Sequence, residues 1–377
     1  MQKRTIALPC AIPGTETTVT AFCYGPQDAQ RHIYLQGSLH ADEMPGSLVA
    51  YHLCQRLDKL EAQGALQARI TVVPLCNTAG LRQSVLFSGV GRFDMAIGQN
   101  YNRLRTVPFY ERVLARLQQN PQALGQDAQA NRTTIRAAMR AEAQAWQPTN
   151  TIEALHSVLL QLACDADVVL DMHCDNDAVL HMYTMPQLWP HLEPLACWLQ
   201  SHCQMLSEDS NSDSFDEIFS TPWLKLQREF PHANIPLACH SATIEFRGER
   251  DLSHELAAQD ADALLQYLHH QGDVRLPQAD IKPMPALICQ PHPLSGLTYV
   301  KAPMSGIVVY HAKVGTWIKK GDLLADVIDP IAQKVVPVHS PIDGFMYATA
   351  DLRFVRPEHK LVSISAAQDT GNTGLSP

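Results

Sequence analysis

Short apolar segments alternate with amphipathic ones through the first half of the chain, and this alternation restricts the fold more than any other feature. Residues 32–37 and 69–74 have the apolar composition of strands, and residues 45–60 between them place apolar side chains at helical spacing. Residues 167–171 are apolar enough to be covered on both faces of a sheet. Strands that alternate with helices predict an α/β fold with a mostly parallel sheet covered by helices.

The same pattern continues to about residue 270. The further predicted elements are helices at 109–145 (in two pieces around Asn120 and Pro121), 151–164 and 252–270, and a strand at 241–246. We therefore assign residues 1–280 to one α/β domain.

A change of character near Pro277 indicates a second domain. Prolines punctuate the following stretch, which is rich in Val, Ile and Gly and poor in helical pattern. Residues 302–308 resemble residues 340–346, a displacement of 38 positions, and the same shift aligns Leu323 with Leu361. We predict a small, pseudo-symmetric all-β domain over 290–365 and a disordered tail over 366–377.

Composition excludes several classes of protein. The formal net charge is −9 and no long basic run occurs, which argues against nucleic acid as a partner. No apolar run approaches the 18 residues of a membrane span, and the apolar N-terminal stretch breaks at Pro9, too early for a signal peptide. The ten cysteines are scattered without a Cys-x-x-Cys pair, which is typical of a reducing compartment. We expect a cytoplasmic protein that contacts no membrane.

A metal site is the chemistry that the polar residues predict. His40 and Glu43 follow the first predicted strand, and His173 closes the apolar strand at 167–171. Ligands gather outside the carboxyl ends of strands in open α/β sheets. Two histidines and one carboxylate form a zinc set that leaves a position for water, although iron oxygenases use the same set. Asp171 lies on the same strand face as His173 and could orient its ring.

A zinc hydrolase also needs a base and a positive charge beside the reacting carbonyl. Glu245 follows three small or apolar residues of a predicted strand and is our choice of base; the alternative is an acid paired with Arg247 or Arg250. Arg92 and Arg103 lie in a glycine-containing loop. Arginine can grip a carboxylate with its fixed fork, although loop arginines are usually solvated.

The ordered set from His40 to Glu245 resembles zinc carboxypeptidase-like hydrolases, and most closely the succinylglutamate desuccinylase/aspartoacylase family, over residues 30–365. The resemblance implies a zinc-carboxypeptidase-like mixed sheet and one zinc ion per chain. The roles it implies are zinc binding by His40, Glu43 and His173, water activation by Glu245, oxyanion stabilisation by Arg92, and binding of a substrate carboxylate by Asn102 and Arg103. Residues 105–150 are longer than this family leads us to expect. Tyr183, Arg228 and Arg247 are candidates for further substrate contacts.

The C-terminal segment resembles the barrel-sandwich domain of biotinyl and lipoyl carriers. Its turn at residues 329–334 lacks the residues that flank the modified lysine of a carrier and is a few positions longer. We therefore expect Lys334 to stay unmodified and the domain to cap the zinc site.

These observations lead to one function and two alternatives. We expect a zinc-dependent amidohydrolase that removes the acyl group from a small anionic N-acyl amino acid. A metallocarboxypeptidase acting on peptides would use the same residues, and a non-catalytic small-molecule binding protein would keep the fold without turnover. The sequence leaves open whether the chain forms a homo-oligomer.

Overall fold

The structure is a computed structural model that describes residues 1–9, 13–104, 108–210, 212–372 and 374. Parts of the sequence analysis lie outside the described residues, namely Cys10, positions 105–107 of the 105–150 segment, and positions 373 and 375–377 of the tail. Each of the nine described cysteines is free.

The N-terminal part is built on a large mixed sheet. The strands of this part are β1 (Gln2–Ala7), β2 (Thr18–Tyr24), β3 (His32–Gly37), β4 (Arg69–Val73), β5 (Ser84–Val85), β6 (Ser88–Gly89), β7 (Val168–Asp175), β8 (Asp177–Ala178), β9 (His181–Thr184), β10 (Cys203–Leu206), β11 (His240–Gly248) and β12 (His292–Pro293). Of these, β5 and β6 form a separate short hairpin, and β8 pairs outside the large sheet. Among the described residues, nine of these strands join in the order β1-β2-β4-β3-β7-β11-β9-β10-β12. The central strands β4, β3, β7 and β11 run parallel, while β1, β2 and β9 introduce antiparallel pairs.

Helices cover both faces of this sheet. They are α1 (Pro45–Ala62), α2 (Thr78–Leu81), α3 (Phe109–Gln118), α4 (Ala128–Ala145), α5 (Thr151–Ala163), α6 (Trp189–Leu199), α7 (Glu217–Glu229) and α8 (His254–His270), with short 3₁₀ turns at Pro121–Ala123, Pro186–Leu188, Gln278–Asp280 and Leu294–Gly296. Proline stands in the first turn of α1, where no backbone donor is lost. The predicted break of the 109–145 helix around Asn120 is confirmed.

Alternation along the central strands explains why both faces are apolar. In β3, Ile33 and Leu35 pack with α1 and α8, whereas Tyr34 between them packs with the helices of the opposite face. In β7, Leu170 and Val169 divide between the same two cores. The prediction of a mixed α/β fold with a helix-covered sheet is therefore confirmed.

Two predicted strand ends were wrong. β7 runs to Asp175 instead of ending at His173, and β11 runs to Gly248 instead of ending at Phe246. Both polar side chains therefore project from within a strand and not from a loop, and the backbone hydrogen bonds between the strands continue past these residues. His173 and Glu245 are direct cross-strand partners, which places both side chains on one face.

The C-terminal segment forms two small antiparallel sheets. Its strands are β13 (Leu297–Lys301), β14 (Gly306–Tyr310), β15 (Thr316–Ile318), β16 (Leu323–Asp329), β17 (Lys334–His339), β18 (Gly344–Thr349), β19 (Phe354–Val355) and β20 (Lys360–Ser365). One sheet has the order β13-β20-β18-β15 and the other β17-β16-β14-β19. Replacing each strand by its counterpart about 38 residues away converts one order into the other, so the predicted repeat is confirmed. The likeness to biotinyl and lipoyl carriers stays a prediction.

The C-terminal sheets contact the N-terminal part directly. β8 pairs with β18 through Ala178–Ala348 and Asp177–Thr349. Ala366 and Thr370, in the segment predicted to be a disordered tail, donate backbone hydrogen bonds to Gly296 and Ser295. Across the described residues we find no helix with the length and apolar character that a membrane crossing requires.

Candidate active site

A cleft lies between the ends of β3, β7 and β11 and the C-terminal sheets. It encloses about 900 Å³ of empty space, part of which opens to solvent. The seven residues to which the sequence analysis gave a metal-binding, catalytic or carboxylate-binding role all line this cleft, namely His40, Glu43, Arg92, Asn102, Arg103, His173 and Glu245.

Tight backbone packing places His40 and Glu43. The chain leaves β3 through Ser38, which adopts a left-handed φ of 57°. The Ser38 hydroxyl donates to the carbonyl oxygen of Glu43 at 2.9 Å. Helix α1 then begins so close to β7 that a Cβ at Gly46 would lie 2.6 Å from the carbonyl oxygen of Met172. This approach holds the residues before α1 against His173.

His40, Glu43 and His173 form a buried cluster with the ligand atoms of a metal site. The two carboxylate oxygens of Glu43 lie 2.8 Å from Nδ1 of His40 and 2.7 Å from Nδ1 of His173. One ligand atom from each residue lies within 4.8 Å of the others, and all three side chains are buried. The cluster could therefore hold a metal ion.

Two further side chains fix the orientation of the histidine rings. Oδ2 of Asp171 accepts from Nε2 of His173 at 2.9 Å, and Nε2 of Gln36 donates to the other oxygen of Asp171 at 3.0 Å. Nε2 of His40 lies 2.9 Å from Oδ1 of Asn100. Both rings thus turn Nδ1 toward Glu43 and Nε2 toward a supporting acceptor, an arrangement typical of metal-binding histidines.

The role of Asp171 leads to a testable expectation. Asp171→Asn should weaken metal binding by about 10- to 100-fold, because the neutral amide polarises the His173 ring less than the carboxylate does. Titration with zinc in the presence of a competing chromophoric chelator measures the change. The matched control is Asp262→Asn, since Asp262 of α8 pairs with Arg56 and does not line the cleft. Equal zinc affinities in the two variants would contradict the assignment.

Burial and neighbouring charges shift the pKa values of the three cluster residues in different directions. Burial and the nearby Arg92 lower the pKa of His40 to about 4. Burial also disfavours a charged His173, but the carboxylates of Asp171 and Glu43 outweigh it and raise the pKa of His173 well above its usual value. Burial opposes ionisation of Glu43, yet His40 and His173 hold its pKa well below the usual range.

Glu245 faces this cluster from the neighbouring strand. Its Oε2 atom is covered and finds no hydrogen-bond partner among the described residues. Burial, with the nearby carboxylate of Glu43, raises the pKa of Glu245 to about 8. The alternative pairing with Arg247 is absent, because Arg247 donates two hydrogen bonds of 2.8 Å to Asp260 of α8.

A backbone irregularity follows Glu245 directly. The pairing of β11 with β7 shifts register between Glu245 and Gly248, and Arg247 adopts a left-handed φ of 65°. Bulges of this kind redirect side chains at the rims of sheets. The ion pair of Arg247 with Asp260 anchors the bulge to α8.

Arg92 approaches the metal cluster from a loop. Its Nη1 atom lies 3.1 Å from Oε1 of Glu43 and 3.3 Å from Nδ1 of His40, and 40% of its side chain is exposed. The preceding Gly91 packs against the His40 loop, and a Cβ there would lie 2.5 Å from the Cβ of Ala41. This loop therefore places the Arg92 cation beside the histidines, and its close packing leaves no room for a side chain at Gly91.

Asn102 and Arg103 line the cleft farther along this loop. Oδ1 of Asn102 accepts from the backbone N–H of Phe215 at 2.8 Å, so this side chain also holds the segment before α7 in place. Nη1 of Arg103 donates to the carbonyl oxygen of Asn102 at 2.7 Å. Of the three further candidates, Tyr183 lines the cleft, whereas the exposed Arg228 binds Glu208 and Arg247 binds Asp260. Neither arginine is among the described residues that line the cleft, and their candidacy as substrate contacts stays a prediction.

Sequence reasoning missed two groups of residues in the cleft. Asp216 and Glu217 line its inner part with several serines, and burial together with Glu217 raises the pKa of Asp216 to about 7. The serine-rich stretch over 207–214 was the available sign of this polar wall. The second group comes from the C-terminal segment and consists of Leu294, Tyr299, Tyr347 and Lys360.

Comparison with known proteins identifies the family. The family model for the succinylglutamate desuccinylase/aspartoacylase catalytic domain matches residues 29–271. The chain belongs to the succinylglutamate desuccinylase/aspartoacylase family. This family is one of hydrolases, and the matched range contains all the predicted site residues. No curated protein sequence matches the chain significantly.

Solved structures share the fold along almost the entire chain. A succinylglutamate desuccinylase/aspartoacylase family protein from Shewanella amazonensis is 22% identical with a TM-score of 0.82, over 97% of this chain and 98% of that one. A related protein from Shewanella frigidimarina is 21% identical with a TM-score of 0.80, over 97% and 96% of the two chains. The ectoine utilization protein EutE (DoeB) from Ruegeria pomeroyi is 15% identical with a TM-score of 0.67, over 96% and 94%.

Proposed function

We propose that this member of the family is a zinc-dependent amidohydrolase that removes the acyl group from a small anionic N-acyl amino acid. The observation that carries the proposal is the buried cluster of His40, Glu43 and His173, which shares one cleft with Glu245 and Arg92. Metal ligands, a carboxylate to act as base and an arginine are the groups that metal-assisted amide hydrolysis requires.

The donor set of the cluster fits zinc. Two imidazole nitrogens and a carboxylate are ligands that zinc prefers in catalytic sites, and supporting acceptors already fix both rings. When bound, a zinc ion supplies a Lewis acid that activates water and polarises a carbonyl group. We propose one such ion per chain.

The protein side chains then have separate tasks. Glu245 accepts a proton from the attacking water and later donates a proton to the departing amine, and its buried Oε2 atom has no hydrogen-bond partner among the described residues that would compete for this role. Arg92 donates hydrogen bonds to the oxygen on which negative charge develops. Asn102 and Arg103 orient the carboxylate of the substrate.

The C-terminal segment supports a small substrate. Tyr299, Tyr347 and Lys360 line the same cleft as the metal cluster. Lys360 lies 3.8 Å from Asp175 and over the ring of Tyr299, so its position is fixed from two sides. A cleft walled by these residues suits an amino acid derivative better than a long peptide.

A substrate panel tests this proposal. Zinc-loaded protein should release primary amine from N-acetyl or N-succinyl amino acids and should leave peptides of four or more residues intact. Release of C-terminal amino acids from such peptides, with no action on N-acyl amino acids, would establish the carboxypeptidase alternative. Binding of N-acyl amino acids without amine release would establish a non-catalytic binding protein.

A further inference from the structure

A second charged concavity lies at the opposite edge of the large sheet. The first residue of β4 and one face of α4 bring four arginines around two aspartates that precede β7. We call this concavity the arginine cleft, and its charged residues are Arg69, Arg132, Arg136, Arg140, Asp165 and Asp167. The three arginines of α4 are spaced four residues apart and therefore share one helix face.

The arginine cleft is distant from the candidate active site. β3, β4 and β7 run parallel, so their first residues lie at one edge and His40 and His173 lie toward the other. His173 is five residues beyond the first residue of β7. Because a strand advances about 3.3 Å per residue, the start of β7 beside the arginine cleft lies about 17 Å from His173. A ligand in the arginine cleft is therefore not a ligand of the metal cluster.

Positive charge exceeds negative charge in this cleft. Asp165 binds Arg69 at 2.9 Å and Arg140 at 3.4 Å, while Asp167 binds both Arg132 and Arg136. Four guanidinium groups thus share two carboxylates. Burial lowers the pKa of His32, which also contacts Asp165, so this ring adds no charge at neutral pH. Each arginine has a carboxylate partner, but the cleft keeps an excess of two positive charges.

Arg136 shows that the arrangement is incomplete. The residue is only 9% exposed, and its Nη2 atom donates to the carbonyl oxygens of Ala166 and Ala238. Its buried Nε atom has no hydrogen-bond partner among the described residues. The charge of Arg136 is paired with Asp167, but a buried N–H donor without an acceptor destabilises the folded state. Burial and the neighbouring charge of Arg136 also lower the pKa of Arg132.

We propose that the arginine cleft binds the phosphate group of a small anionic ligand. A phosphate monoester carries a charge between about −1.5 and −2 at neutral pH, which matches the excess of two positive charges. The forked guanidinium groups of Arg132 and Arg140 match its tetrahedral oxygens. The chain as a whole carries a formal net charge of −9, so the arginine cleft is a local positive region on a negatively charged protein.

Inorganic phosphate is the probe that tests the proposal. Isothermal titration calorimetry of the full-length protein should show saturable binding of phosphate, and chloride at the same ionic strength should give none. Arg140→Gln should weaken phosphate binding by about tenfold or more, because a charge-assisted hydrogen bond is lost. Arg140 is 46% exposed at its side chain and makes a single 3.4 Å ion pair, so the variant should fold normally.

The matched control is Arg116→Gln. Arg116 is 45% exposed, lies on the adjacent helix α3 and pairs with Glu142 of α4, but it does not line the cleft. This variant should bind phosphate as the unmodified protein does. Absence of saturable binding, equal binding of chloride, or equal losses in the Arg140 and Arg116 variants would each overturn the proposal. None of these results depends on the metal or on hydrolytic activity.

Discussion

Replacing Glu245 with Gln is expected to lower the turnover number by about 10²- to 10⁴-fold while the zinc content stays unchanged. The amide has nearly the same shape as the carboxylate but cannot accept a proton from water. Glu245 faces the metal cluster without being one of its three ligands, so the zinc affinity should hold. Steady-state amine release and zinc content of the same preparation measure both quantities.

The matched control for this variant is Glu249→Gln. Glu249 lies just beyond the end of β11, is exposed and does not line the cleft. Its turnover should equal that of the unmodified protein. Near-full activity in Glu245→Gln would show that another group moves the proton, and loss of zinc in that variant would show that Glu245 is itself a ligand.

Replacing His173 with Ala is expected to abolish both zinc binding and activity. The substitution removes one of three ligands and leaves Glu43 and Asp171 facing each other across a cavity. The fall in zinc affinity should therefore exceed the roughly 10- to 100-fold that the loss of a supporting group causes. Zinc titration measures the affinity, and circular dichroism establishes whether the variant is folded.

His254→Ala is the surface control for this substitution. His254 is exposed at the first residue of α8 and contacts His52, far from the cleft. It should keep zinc and activity. A folded His173→Ala protein that still binds one zinc ion with unchanged affinity would contradict the ligand assignment. Together, His173→Ala and Glu245→Gln distinguish loss of the metal from loss of the base.

The central fold was predictable because its signals are local. β3 and β4 are short apolar runs bounded by polar residues, and α1 and α5 have regular apolar spacing. The outer elements carry weaker signals and were not predicted. β1 is largely exposed, and α6 contains Pro194 within its length, which a sequence pattern treats as a helix breaker.

The site residues at or near the carboxyl ends of strands were predictable from the sequence. His40 and Glu43 follow β3, and His173 lies near the end of β7, so the rule that ligands gather at the carboxyl ends of strands sufficed. The pairing of Asp171 with His173 followed from two-residue alternation along one strand. Each of these relations lies within a short segment or follows from parallel pairing.

The rest of the site depends on contacts between segments far apart in sequence. Asn100 supports His40 across 60 positions, and nothing in its neighbourhood indicates this role. Lys360 and Tyr347 come to the cleft from the C-terminal segment, which contacts the N-terminal part through pairings such as β8 with β18. Arg247 pairs with Asp260 of α8 and not with Glu245, and this pairing depends on the bulge in β11, which sequence alone does not show.

Metal-dependent amine release tests the central claim most directly. Protein stripped with a chelator should release no amine from an N-acyl amino acid, and one equivalent of zinc per chain should restore the activity. That result would establish a zinc-dependent amidohydrolase, as the cluster of His40, Glu43 and His173 predicts. Full amine release by stripped protein, or failure to bind added zinc, would contradict the account.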